Sequence, residues 1–136
     1  MEEFNAYYHG SKVIFDLLPV FQEEYGNNFL WSWSSQFTSN SESFYEFDFF
    51  IKEYLLYAKS NYPKLYEELK NDNEFKLIYK NIRSRFSNLI NQYEKKYDEF
   101  TISAKKNGEV FYTSNKHSSS IHSILAEQIK STRYSE

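Results

Sequence analysis

Three histidines are the scarcest side chains in this sequence with chemistry to offer. His117 and His122 stand five positions apart. Two imidazoles that share a metal ion from one helix are normally about three or four apart, so that both rings face the same way. The nearest carboxylate, Glu127, lies a further turn on, and no set of ligands is completed. Carboxylates crowd the N-terminal half instead, at Asp16, Glu23, Glu24, Glu42, Glu46, Asp48 and Glu53. General acid–base chemistry needs two of them at a fixed separation in a dry cleft, which spacing along the chain does not provide. With glycine only at 10, 26 and 108 there is no glycine-rich phosphate loop, and no serine sits in a nucleophile elbow. The absence of cysteine rules out disulfides and thiolate metal sites. The residues therefore imply no catalytic centre, no metal and no cofactor.

The third histidine belongs to the string Tyr7-Tyr8-His9-Gly10-Ser11. This string resembles the first strand motif of the ADP-ribosyltransferase superfamily, whose His-Gly-Ser/Thr element holds the nicotinamide ribose of NAD. The resemblance covers five residues. It implies an NAD-using transferase with His9 in a nucleotide cleft and a fold dominated by two small sheets. Tyr25-Gly26 and Phe29-Leu30-Trp31 loosely echo the later element of that family, which stacks an aromatic on the nicotinamide. The alternative is a histidine on an aromatic surface with no ligand.

Residue types that suit binding are more plentiful. Lys76, Lys80 and Arg83 recur at i, i+4 and i+7, with Arg85 nearby. That row forms a basic helix edge fit for phosphates or for an acidic protein surface. With tyrosines interleaved, it also suits stacking on single-stranded nucleic acid. Trp31 and Trp33 alternate with serines, and on a strand they would share one face as core or as interface anchors. Glu46 and Asp48 lie in an acidic, aromatic segment, Phe44–Phe50. These eight residues, Trp31, Trp33, Glu46, Asp48, Lys76, Lys80, Arg83 and Arg85, are the expected partner-binding set.

The elements that must position them follow from periodicity. Residues 1–10 read as a short strand or as the first turn of a helix, closed by Gly10. Val13, Ile14, Leu17, Leu18 and Phe21 predict a helix over 11–25 with a break near Pro19, and Gly26-Asn27-Asn28 ends it. Phe29–Ser34 alternates as a strand, and Ser35–Ser43 reads as a polar loop. Phe44–Phe50 fits both periods; Phe44, Phe47, Ile51, Leu55 and Ala58 favour a central helix over 43–60. A short helix follows Pro63, and Asn71-Asp72-Asn73 breaks it. Phe75, Ile78, Tyr79, Ile82, Phe86, Leu89, Ile90, Tyr93 and Tyr97 form the stripe of a long helix over 74–97. Asn107-Gly108 between Phe100–Ala104 and Glu109–Thr113 predicts a hairpin over 99–114. A final helix is predicted over 119–132, with a fraying tail.

A chain of 136 residues, 40% hydrophobic and 21% aromatic, has enough apolar matter for one domain with a core built from rings. The predicted fold is α+β but mainly α, an antiparallel helical core carrying a small antiparallel β-hairpin or sheet near the C-terminus. Residues 1–58 carry nine acids and two bases, whereas residues 59–136 carry fourteen bases and ten acids. No apolar run approaches the ~20 residues that span a bilayer, and the acidic start does not resemble a signal peptide. A soluble, cytoplasmic protein is expected. The chain is short, aromatic-rich, charge-polarised and rich in Asn, Ser, Lys, Tyr and Phe, as products of AT-rich bacterial or phage genes are. That profile suggests a non-enzymatic protein that inhibits or neutralises a macromolecular partner by occlusion, such as an inhibitor, immunity protein, antitoxin or phage counter-defence protein. An NAD-using transferase and a weak single-stranded nucleic-acid binder are the alternatives.

Overall fold

The long aromatic stripe sets the architecture. A computed structural model describes residues 1–107, and in it six α-helices follow one another: α1 (Glu2–Asp16), α2 (Leu18–Tyr25), α3 (Phe29–Ser41), α4 (Ser43–Asn61), α5 (Pro63–Asn71) and α6 (Asn73–Asn107). A 3-10 turn at Gly26–Asn28 joins α2 to α3. The spine is α6; its 35 residues span about 50 Å at ~1.5 Å per residue. Asp72 caps its start, with Oδ1 accepting the Phe75 amide at 3.0 Å. Helices α1, α3, α4 and α5 all pack against it.

Two ring-rich clusters divide the core along that spine. Near its C-terminal half, Phe21, Phe29, Leu30, Trp33 and Phe37 enclose Leu89, Tyr93 and Tyr97. Phe37 stacks on Tyr93 with centroids 4.1 Å apart, and the Trp33 ring stands 5.3 Å from Tyr93. Toward the N-terminal half, Phe4 and Phe44 close on Tyr79, Ile82, Phe86 and Ile90. Phe86 lies 5.8 Å from Phe4 and 5.3 Å from Phe44. Tyr8 packs against both clusters and joins them.

Several expectations change. The small sheet is not formed by the described residues, which contain no strand. Phe29–Ser34 is the first half of α3, because Phe29, Leu30, Trp33 and Phe37 are spaced for one face of a helix. Phe100–Ala104, the first arm of the expected hairpin, forms closing turns of α6. Phe100 and Ala104 simply extend the stripe of Tyr93 and Tyr97. The second arm at 109–113 and the helix expected over 119–132 lie outside the described residues. The serine-rich 35–43 stretch is helical rather than a loop, apart from the junction at Glu42. Its hydroxyls bond back to the preceding turn: Thr38 Oγ1 donates to the Ser34 carbonyl at 2.7 Å and Ser39 Oγ to that of Gln36 at 3.0 Å.

The first helix begins at Glu2, nine residues earlier than periodicity suggested, and the break falls at Leu17. Pro19 then occupies the first turn of α2, where a missing N–H costs nothing. The Ile14 carbonyl, in the last turn of α1, is taken by the Trp33 indole N–H at 3.0 Å. Gly26 closes α2 at φ 51°, a backbone region that favours glycine.

Candidate functional site

On α4, Asp48 is fully buried. Its Oδ1 accepts the hydroxyl of Tyr79 and the Nε–H of Arg83, the latter at 2.9 Å. Its Oδ2 receives no hydrogen bond and lies 3.4 Å from the ammonium of Lys52, one turn along the same helix. The Lys52 side chain is only 8% exposed and that of Arg83 is 35% exposed. Two cations and a phenol on α4 and α6 thus hold one carboxylate inside the protein. A buried charge is tolerated only when paired in this way. The arrangement ties two helices in one register and keeps Asp48 off the surface.

Just beyond this knot, Tyr79 stacks on Phe75 at 6.2 Å. Phe75 in turn lines an open hollow of about 280 Å³ with Met1, Phe47, Phe50, Ile51, Tyr54 and Leu69. The start of α1, the middle of α4, the end of α5 and the start of α6 meet there. Its wall is apolar and its edge reaches water, since Phe50 is 66% and Tyr54 54% exposed. Tyr57, Tyr62 and Leu65 continue the exposed apolar surface along α4 and α5, with Tyr57 and Tyr62 6.0 Å apart. A contiguous exposed patch of this kind marks an interaction surface more often than scattered apolar residues do.

The expected binding residues are dispersed rather than gathered. Trp33 is fully buried and Trp31 half exposed, because two positions along a helix are turned about 200° apart instead of sharing a face. Glu46 is exposed but Asp48 is not. The basic row is split as well. Lys80 and Arg85 are exposed, Lys76 is half-buried, and Arg83 turns inward to Asp48. The surface rings Phe50, Tyr54, Tyr57 and Tyr62 were missed. Their signal was present: Glu46, Phe50, Glu53, Tyr54 and Tyr57 fall at i, i+4, i+7, i+8 and i+11, one face of α4. A helix apolar around most of its girth looked wholly central, yet α4 buries one side and leaves the rings of the other in water.

The string at 7–11 serves packing between α1 and α3. It lies within α1 rather than on a strand. Asn40 Nδ2 donates to the Tyr7 carbonyl at 2.9 Å and to Ser11 Oγ at 2.8 Å. Gly10 leaves room for this, since a Cβ there would stand 3.0 Å from Asn40 Nδ2. Ser11 is buried and donates to the Tyr7 carbonyl at 2.8 Å. His9 is exposed, edge-on to the Tyr8 ring.

Two phenols carry strong electrostatic signatures. Burial, then the charges of Glu94 and Glu42, push Tyr45 up to about 12. Burial and then the neighbouring Tyr97 drive Tyr93 far above the ordinary phenol value, against a hydrogen bond with Ser34 that lowers it. Both belong to the core and are held neutral there. Among the described residues no three His, Cys, Asp or Glu side chains group as metal ligands, and no helix is long and apolar enough to cross a membrane. His117 and His122 lie outside the described residues. No protein-family model, curated protein or solved structure matches the chain.

Proposed function

We propose that this is a small non-enzymatic binding protein, of the inhibitor, immunity-protein or antitoxin type, that acts by covering a functional surface of a macromolecular partner. The observation that carries the reading is the apolar hollow, with Phe50 and Tyr54 held more than half exposed at its edge. Aromatic side chains supply large contact area for few rotatable bonds, and a few such anchors dominate interface energies. The hollow sits on a rigid support, because α4 and α6 are fixed beneath it by the buried Asp48–Arg83–Tyr79 contacts. A preformed surface loses little entropy when a partner docks.

The test compares tagged wild-type protein with a Phe50→Ala/Tyr54→Ala variant as baits in a lysate of the source cells. The wild type is expected to retain a protein that the variant releases, while circular dichroism shows the two equally helical. Identical retained proteins from the two baits, or a turnover activity that survives in the variant, would refute the reading.

A further inference from the structure

The hollow is apolar inside, and exposed acids flank its lining residues along the chain. Glu2 and Glu3 follow Met1, Glu53 lies between Phe50 and Tyr54, Glu68 precedes Leu69 and Glu74 precedes Phe75; all five acids are exposed. The positive groups there are the α-ammonium of Met1, itself a lining residue, Lys70, which already lies 3.7 Å from Glu67, and Lys76; the five acids outnumber these three. Lys52, inside the α4 segment, is buried against Asp48 and contributes nothing to the rim. Such a site repels a phosphate backbone and attracts cations.

Its shape restricts the occupant further. The described residues present no strand edge, so an extended segment would find no row of backbone groups to pair with. A helix satisfies its own backbone and lays one apolar face into a groove between helices. The α4 residues that line the hollow run from Phe47 to Tyr54, about two helical turns, which matches anchors at i and i+3 or i+4 on a partner.

We propose that the hollow receives the apolar face of a basic amphipathic helix belonging to a partner protein. One or two aliphatic or aromatic anchors enter between Phe47, Phe50, Tyr54, Leu69 and Phe75, and lysines or arginines beside them meet the acidic rim. This rests on the reading of the protein as a partner-occluding binder and gives that partner a chemistry.

The test uses fluorescence anisotropy of the full chain with three fluorescein-labelled 16-residue probes. One carries leucines at helical spacing among lysines. The second replaces each lysine with glutamate, and the third scrambles the first. The basic amphipathic probe is expected to bind at least tenfold tighter than either of the others. Phe50→Ala/Tyr54→Ala should weaken it at least tenfold, and Val20→Ala, at an exposed position on α2 away from the hollow, should leave it unchanged. Equal binding of the acidic probe, equal binding of the scrambled probe, or indifference to Phe50→Ala/Tyr54→Ala would each overturn the proposal. So would displacement of the probe by a single-stranded oligonucleotide at matched concentration, which would put nucleic acid in the site. Self-association in sedimentation, abolished by Phe50→Ala/Tyr54→Ala, would put a second copy there and overturn it too. Where no probe binds yet the lysate partner is still lost with that variant, the binding reading stands and the basic-helix assignment falls.

Discussion

Removing the Asp48 carboxylate should be among the most damaging single changes in the α4–α6 contact, and the damage should come from what it strands. Asp48 is fully buried, and its partner Lys52 is 8% exposed in the side chain. Asp48→Ala leaves that ammonium without the carboxylate it faces and removes one hydrogen-bond acceptor each from the Tyr79 hydroxyl and Arg83 Nε. Breaking a buried pair from one side costs about 3–5 kcal/mol, mainly through the uncompensated charge. Lys52→Met alone should cost about 1 kcal/mol, because Asp48 keeps Arg83 and Tyr79 and loses only a contact at 3.4 Å.

The double variant Asp48→Ala/Lys52→Met no longer buries a lone charge. It should therefore be more stable than Asp48→Ala by about 1–3 kcal/mol, a coupling opposite in sign to additive loss. Urea unfolding followed by tryptophan fluorescence measures all three variants, with stability read from the midpoint at constant slope. A cost below about 1 kcal/mol for Asp48→Ala would refute the argument. A double variant no more stable than Asp48→Ala would refute it as well, since the penalty would then not lie in the stranded lysine.

Three further outcomes follow from the packing. Trp33→Ala should destabilise by about 3–5 kcal/mol as a fully buried ring with its N–H satisfied, whereas Trp31→Ala should stay within about 0.5 kcal/mol; thermal melts separate the two. Gly10→Ala gains about 0.5–1 kcal/mol of helix propensity but displaces Asn40, whose two hydrogen bonds are worth about 1 kcal/mol each, so it should destabilise slightly. In an Asn40→Ala background the same change should stabilise, and a cycle of melts that shows no reversal of sign would count against the close approach. Tyr45 ionises at about 12 in the folded chain against 10.0 for the ordinary phenol, so folded protein holds the proton more tightly and stability must fall as pH rises from about 10 to 12. Tyr93 shifts in the same direction and steepens that loss. Stability unchanged between pH 9 and 12 in urea titrations would contradict this assignment.

The long stripe from Phe75 to Tyr97 was legible because α6 is amphipathic over many turns, and a period near 3.6 repeated that often leaves no competing reading. The same logic located α4 and α5. The α3 region was misread because its ring-bearing window is short and its polar residues are small. Over six residues, Phe29-Leu30-Trp31-Ser32-Trp33-Ser34 alternates as well as it spirals; Phe37, three residues past the end of that window, decides for the helix. Serine and threonine suggested a loop on propensity, but packing against Tyr93 and the back-bonded hydroxyls override it. The knot at Asp48 was not legible, because nothing in Asp48, Lys52, Tyr79 and Arg83 as a list says that α4 and α6 cross there. Charged residues were read as surface residues by default, which is the usual outcome for Asp, Lys and Arg.

The surface rings follow a different logic from the buried ones. Phe4, Phe37, Phe86 and Tyr93 each meet several other rings, and their burial accounts for them through the area they remove from water. Phe50, Tyr54 and Tyr57 lie more than half exposed on the same helix that buries Phe44 and Leu55. Folding gains little from them, and an exposed apolar face raises the risk of self-association. A helix needing only one buried face would be served by lysine or glutamate at those three positions, as Glu46 and Glu53 serve at the neighbouring ones. The fold thus explains why α4 is apolar on the side of α6 but not why the other side carries rings. The two sides are not independent. Asp48 and Lys52 lock α4 against α6, and that lock holds Phe50, Tyr54 and Phe75 at fixed separations around the hollow. The buried charges therefore support the hollow, although neither Asp48 nor Lys52 lines it.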